Sequence, residues 1–91
     1  MTYEWDEAKR HENVRRHGID FAEVDQLFTG LTATIEDDRH AYGEQRFITL
    51  GLLRGRVVVV VHTERGDRIR IISVRKATKN EERFYFWEIG D

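Results

Sequence analysis

Hydrophobic residues along the chain change their spacing twice, and each change predicts a different kind of element. Between Asp20 and Gly30 they fall three and four positions apart, which is the spacing of one buried helix face. Between Arg46 and Arg75 they alternate or run together, which is typical of strands. From Val57 to Val61 five valines are consecutive, which indicates a central strand covered on both faces.

Residues with strong capping preferences set the predicted ends of the helices. Asp6 is a candidate N-cap for a polar helix that continues through Lys9 to His17 and ends at Gly18. Two pairs spaced three residues apart have the pattern of a capping box, which opens a helix. These pairs are Asp20 with Glu23 and Thr78 with Glu81.

The predicted order of elements is β-α-α-β-β-β-β-α, an α+β fold. It has a small antiparallel sheet of about four to five strands, two N-terminal helices and one C-terminal helix. The later strands are predicted at Leu31 to Ile35, Arg46 to Leu53, Arg56 to Thr63 and Arg68 to Arg75, with a turn at Arg54-Gly55. No proline, linker or repeat divides residues 1–91, so we expect a single domain.

Composition removes several classes of function. The chain has no cysteine, so a disulfide framework and a thiolate metal site are excluded. Its histidines do not fall in a recognised metal-ligand spacing, and we expect neither a metal nor a cofactor. These are His11, His17, His40 and His62. No targeting segment or membrane span is recognisable, so we expect a cytoplasmic protein without membrane contact.

Positive charge is concentrated in one segment of an acidic protein. The chain carries a net charge of −2, yet Glu64 to Lys79 holds six cations against two acids, a local charge of +4. Strict alternation would place Arg68, Arg70, Ile72 and Val74 on one face, and Ile69, Ile71, Ser73 and Arg75 on the other. Neither face would then be apolar, unless a bulge changes the register.

The segment has two interpretations. The arginines are either solvated strand residues whose stems cover apolar neighbours, or a site for an anion. Arg70, Arg75 and Lys76 lie next to the predicted helix start at Thr78, and guanidinium groups match phosphate oxygens. That combination favours an anion site.

Several motifs, in order and over almost the whole chain, resemble the BrnT toxins. The opening is Trp5-Asp6-x-x-Lys9-x-x-x-Asn13-x-x-x-His17-Gly18-Ile19-x-Phe21, and Glu44-Gln45-Arg46-Phe47-Ile48, Gly55-Arg56 and His62-Thr63-Glu64-Arg65 follow. The last motif is Arg70-Ile71-Ile72-Ser73-Val74-Arg75-Lys76-Ala77, with Glu81 and Tyr85 after it.

The resemblance implies a RelE-like fold and the toxin half of a type II toxin–antitoxin pair. It also implies a ribonuclease that halts translation and is covered by a BrnA-type antitoxin. DNA would be contacted only indirectly, because the antitoxin carries the DNA-binding domain that represses the shared operon.

Cleavage of RNA without a metal needs a base, an acid and cations that stabilise the developing charge. On this basis we predict catalytic roles for Arg70 and Arg75 at the phosphate, and for Glu81, Tyr85 or His17 in proton transfer or orientation. The predicted RNA phosphate-binding residues are Lys9, Arg65, Arg68 and Lys76. For Glu81 a capping role and for Tyr85 a packing role remain open.

Two other functions remain open. The protein could be a module that binds RNA or an acidic protein without cutting it. It could also be an inactive toxin-like partner of an antitoxin, retained as a co-repressor.

Overall fold

A computed structural model describes residues 2–38 and 43–90. His40 lies outside the described residues. The strands are β1 (Thr2–Trp5), β2 (Ala33–Asp37), β3 (Arg46–Leu53), β4 (Arg56–Arg65) and β5 (Arg68–Lys76). The helices are α1 (Glu7–His17), α2 (Val24–Phe28) and α3 (Lys79–Glu88). A 3₁₀ turn, Phe21–Glu23, precedes α2.

The strands form one sheet in the order β1-β5-β4-β3-β2, so the α+β class is confirmed. The pairs from β2 to β5 are antiparallel, as predicted. The edge strand β1 pairs parallel to β5, from Thr2 opposite Arg68 to Trp5 opposite Ile71. The sheet is therefore mixed rather than antiparallel throughout, because β1 runs in the same direction as β5 whereas every other neighbouring pair is antiparallel.

Side-chain hydrogen bonds confirm the predicted helix starts. The Asp6 carboxylate accepts from the N–H groups of Ala8 and Lys9, and Gly18 closes α1 with a positive φ of 71°. Both predicted capping boxes form, at Asp20 with Glu23 and at Thr78 with Glu81. The first of them opens a 3₁₀ turn, which is common at the beginning of an α-helix.

Turn geometry fixes the register of the hairpins. Arg54 and Gly55 both have positive φ, 53° and 76°, which is the type I′ conformation that joins twisted strands. At the next turn the pairing continues as far as Arg65 opposite Arg68, so β4 is two residues longer than predicted.

A β-bulge explains the mixed faces predicted for β5. The register shifts between Val61 and His62, so that Ser73 lies opposite Val61 and Ile71 lies opposite His62. Ile72 is the extra residue. Val74 thereby joins Ile69 and Ile71 in one buried cluster.

The two faces of the sheet carry different helices. On one face α1, the 3₁₀ turn and α2 cover a core that includes Phe21, Leu27 and Val60. On the other face α3 packs on Leu50, Val57 and Val59 through Tyr85. No helix within residues 2–38 and 43–90 is long and apolar enough to cross a membrane.

Candidate active site

Two arginines flank a buried threonine on the face of the sheet that carries α3. Arg46, Thr63 and Arg70 lie opposite one another on β3, β4 and β5. Neighbouring strands are about 4.8 Å apart, so the two arginine backbones are separated by roughly 10 Å. Both side chains are long enough to extend over Thr63. We call these three residues the arginine row.

The side chain of Thr63 is a buried polar group. The residue is 2% exposed, and its hydroxyl forms no hydrogen bond with the described residues. Buried hydroxyls normally have a partner. The Thr63 hydroxyl lies between the strands that carry Arg46 and Arg70, so it could donate a hydrogen bond to an anion held by these arginines.

Arg70 is held at its place in the row by β1. Its Nη1 lies 3.0 Å from Oε2 of Glu4, the residue opposite it in the register. Both side chains are about three-tenths exposed or less. The parallel edge strand therefore orients Arg70 and partly neutralises its charge.

Arg75 is on the same face, because Val74 before it points into the opposite core. Its guanidinium binds Glu81 at the start of α3 through two hydrogen bonds of 2.8 and 2.9 Å. Glu81 Oε1 also accepts from the N–H of Thr78. These hydrogen bonds, of which those from Arg75 have the largest effect, lower the pKa of Glu81 to about 2. Glu81 is therefore ionised near neutral pH and orients Arg75.

Tyr85 is in the core rather than at the surface. It is 1% exposed, and its hydroxyl donates to the carbonyl oxygen of Leu31 at 2.8 Å. Burial raises the pKa of the phenol. Its position supports the packing role that the sequence left open.

The cations around α1 form a second surface. A depression of about 190 Å³ borders α1 and Ser73 of β5, and one of about 400 Å³ lies between α1, β4 and the end of β5. His17 lines both. We define the basic groove as Lys9, Arg16, His17, Arg56 and Lys76. None of these five side chains forms an ion pair with another residue of the described ranges.

The predicted site residues thus fall into separate places. Arg70, Arg75 and Glu81 share the α3 face, whereas Lys9, His17 and Lys76 share the basic groove. Arg65 and Arg68 are paired beside the β4–β5 turn, at the opposite end of β5 from Lys76. Arg65 lies 3.5 Å from Glu44. A nine-residue strand is about 30 Å long, so these two arginines are remote from the groove.

Three residues next to the predicted site residues could not be assigned a role from the sequence. Arg46 and Thr63 stood in recognised motifs without a role, and only the sheet register brings them to Arg70. Asn13 was also unassigned. It is 5% exposed, and its amide donates to the carbonyls of Ile19 and Val74 and accepts from the N–H of Val74. It thereby anchors α1 to β5 next to Arg75.

The described residues form a small α+β protein whose cations are concentrated beside β5, on both faces of the sheet. A sequence model of one family, described as "Ribonuclease toxin, BrnT, of type II toxin-antitoxin system", matches residues 5–81. The chain therefore belongs to the BrnT family of ribonuclease toxins. No curated protein matches the chain significantly.

Proposed function

We propose that this chain is an endoribonuclease toxin that cleaves RNA without a metal ion and thereby inhibits translation. A cognate BrnA-like antitoxin neutralises it, and DNA is contacted only through the complex with that antitoxin. Family membership supports the ribonuclease class. The observation that carries the site is the arginine row, where the hydroxyl of Thr63, without a hydrogen bond to any described residue, lies between Arg46 and Arg70.

In the proposed reaction the 2′ oxygen bonds to phosphorus while the bond from phosphorus to the 5′ oxygen breaks. A base takes the 2′ proton, and an acid gives a proton to the leaving 5′ oxygen. Arg70 and Arg75 bind phosphates of the RNA strand and stabilise the charge that develops on the oxygens of the reacting one. Guanidinium groups suit this role because their donors fit phosphate oxygens in pairs.

Each other predicted residue has a proposed role that follows from its surroundings. Glu81 positions Arg75, because the low pKa of its carboxyl makes it a weak base. Tyr85 holds α3 on the sheet. His17 is the remaining candidate for proton transfer, since imidazole readily both accepts and donates a proton. It lies in the basic groove with Lys76, so it would act on a phosphate at the end of β5 next to Arg75.

RNA is proposed to extend from the basic groove towards the arginine row. Lys76 lines the groove, and Arg75 precedes it on the opposite face of β5. Phosphates bound along Lys9 and Lys76 would therefore lead around the end of β5 to Arg75. Arg65 and Arg68 lie two residues beyond Thr63 and Arg70, so they would contact RNA that continues past the arginine row.

The test is cleavage of a labelled single-stranded RNA in the presence of EDTA. We expect cleavage by the parent protein and a loss of about 100-fold or more in Arg70→Ala and Arg75→Ala. Arg83→Ala is the matched control, because Arg83 is an exposed cation whose side chain donates to Asn80 on α3. Undiminished cleavage by folded Arg70→Ala and Arg75→Ala proteins would remove these residues from the site.

Expression in cells tests the remaining parts. We expect growth arrest with loss of RNA, relieved when the neighbouring reading frame is co-expressed. RNA that is bound but left intact would instead support the module without catalysis. A stable antitoxin complex without any toxicity would support the inactive partner.

A further inference from the structure

An apolar groove with an acidic rim lies beside the candidate active site. Its floor is formed by Ile35, Ile48, Leu50 and Phe84, between the edge strand β2, its neighbour β3 and helix α3. The groove has a volume of about 420 Å³. We call it the acidic-rimmed groove.

The floor of this groove leaves apolar surface in water. Ile35 is 46% exposed although it lies on a strand, and Ile48 and Phe84 are only partly buried. Concave apolar surfaces of this kind are typical of binding grooves. A partner that covered Ile35 would gain from removing it from water.

The rim determines what kind of partner fits. Its polar lining comprises Asn80 and the carboxylates of Glu36, Asp37, Asp38 and Glu81. Asp37 is buried and Glu81 binds Arg75, so Glu36 and Asp38 are the carboxylates that face a partner. Glu36 and Asp38 are exposed and form no ion pair with the described residues. Such a rim repels RNA phosphates and attracts lysine or arginine side chains. The groove therefore suits a protein segment that is apolar in the middle and basic at its edges.

The groove and the candidate active site share a residue. Glu81 lines the groove and also holds the guanidinium of Arg75. An occupant of the groove would consequently contact Glu81 and lie close to Arg75, which Glu81 binds. Binding there would hinder RNA from reaching that side chain, which is what neutralisation requires.

We propose that the acidic-rimmed groove is the docking site for an amphipathic segment of the antitoxin. This rests on the proposed toxin function. Apolar side chains of the segment enter between Ile35 and Phe84, and flanking lysine or arginine side chains meet Glu36 and Asp38. An amphipathic helix laid in a groove is a recurring mode of peptide recognition.

The test measures binding of the purified chain to the protein encoded by the adjacent reading frame, and to labelled overlapping peptides that cover it. Ile35→Asp places a charge on the groove floor and is expected to weaken binding about tenfold or more. Leu52→Asp is the matched control, since Leu52 is 43% exposed on β3 but does not line the groove. Its binding should stay within about twofold of the parent.

Charge reversal tests the rim separately. Asp38→Lys should weaken binding and reduce its dependence on salt, whereas Glu88→Lys, on the exposed end of α3 away from the rim, should not. The peptide that binds should contain apolar residues flanked by lysine or arginine.

Several results would overturn the proposal. The first is that Ile35→Asp binds the neighbouring protein as tightly as the parent does. The second is that the parent forms no complex with that protein. The third is that the only effect of Ile35→Asp is the loss of a homodimer. Cleavage of RNA by the same proteins is measured in parallel. Ile35→Asp should still cleave RNA, because Ile35 is outside the candidate active site. A parent protein that binds the antitoxin but never cleaves RNA would contradict the proposed function and leave the docking proposal intact.

Discussion

Arg75 and Glu81 form a two-point ion pair that joins β5 to the start of α3, with distances of 2.8 and 2.9 Å. Glu81 simultaneously accepts the N–H of Thr78 and so completes the capping box of that helix. One carboxylate thus serves both the helix and the proposed phosphate-binding arginine. The two roles can be separated because glutamine retains an oxygen for the cap but has no charge.

We expect Glu81→Gln to retain most of the stability and to reduce RNA cleavage, because Arg75 loses its charged partner. Glu81→Ala should lose both roles and about 1–2 kcal/mol of stability. Denaturant unfolding and cleavage rates measure the two effects. Glu82→Ala, one residue further along the same turn, is the control. Equal cleavage by Glu81→Gln and the parent would limit Glu81 to capping.

Asn13 provides a prediction about how β5 is held. Pairing between β1 and β5 ends at Trp5 opposite Ile71, and beyond it the Asn13 amide bonds both backbone groups of Val74. Asn13→Leu would leave buried backbone groups unpaired, so we expect a loss of about 3 kcal/mol.

The measurement for Asn13→Leu is denaturant unfolding, with Val14→Ala as the control because Val14 is 41% exposed on the same helix. Cleavage should also fall, since Val74 precedes Arg75. A loss below about 0.5 kcal/mol would show that water or other groups replace the amide.

His62 predicts a dependence of stability on pH. It is 2% exposed and lies between the rings of Phe28 and Phe47, and its Nε2 is 2.7 Å from the hydroxyl of Thr49. Burial lowers the pKa of His62 from 6.5 to about 4. The unfolded chain therefore binds a proton that the folded protein does not bind between these values.

The contribution of His62 to the free energy of unfolding should therefore be fully present above pH 6.5. It should be lost as the pH decreases towards 4, which lowers the free energy of unfolding by about 3 kcal/mol at most. Unfolding midpoints at several pH values measure the slope. His62→Phe should flatten it, whereas His11→Gln should not, because the side chain of His11 is 73% exposed. An unchanged slope in His62→Phe would assign the effect to other groups.

Local signals predicted most of the fold. Asp6, Gly18 and the two capping boxes act through hydrogen bonds within a few residues, so their spacing in the sequence is sufficient to place the helix ends. Parallel pairing of β1 was not predicted, because it joins residues more than sixty positions apart. The bulge opposite Val61 was anticipated only as a possibility, since its position depends on packing on both faces.

The candidate site was predicted less completely for the same reason. Arg70 and Arg75 stand in one motif, but the sheet register alone brings Arg46 and Thr63 to Arg70. Burial determines that Tyr85 packs in the core, and its sequence position next to other aromatic residues could not distinguish packing from catalysis. The roles proposed for Arg70, Arg75 and His17 remain predictions.

His17 is the subject of a prediction about proton transfer. If its imidazole exchanges a proton with RNA, His17→Asn should lower kcat, and the pH dependence of the remaining activity should change. Unfolding should be little affected, because the side chain is only half-buried at the end of α1. His11→Gln is again the control. A uniform rise in KM with an unaltered pH profile would instead make His17 an RNA-binding residue.

The last prediction concerns RNA binding in the basic groove and compares the contributions of two adjacent arginines on α1. Arg16 lines the groove, whereas Arg15 is bound by Glu12, with the closest oxygen at 2.7 Å. Each phosphate contact releases counterions, so losing one should reduce the salt slope of single-stranded RNA binding by about 0.7. We expect this for Arg16→Ala and Arg56→Ala, with little change for Arg15→Ala, measured by fluorescence anisotropy across a salt series. Equal effects of Arg15→Ala and Arg16→Ala would indicate general attraction to positive charge rather than a defined path for RNA.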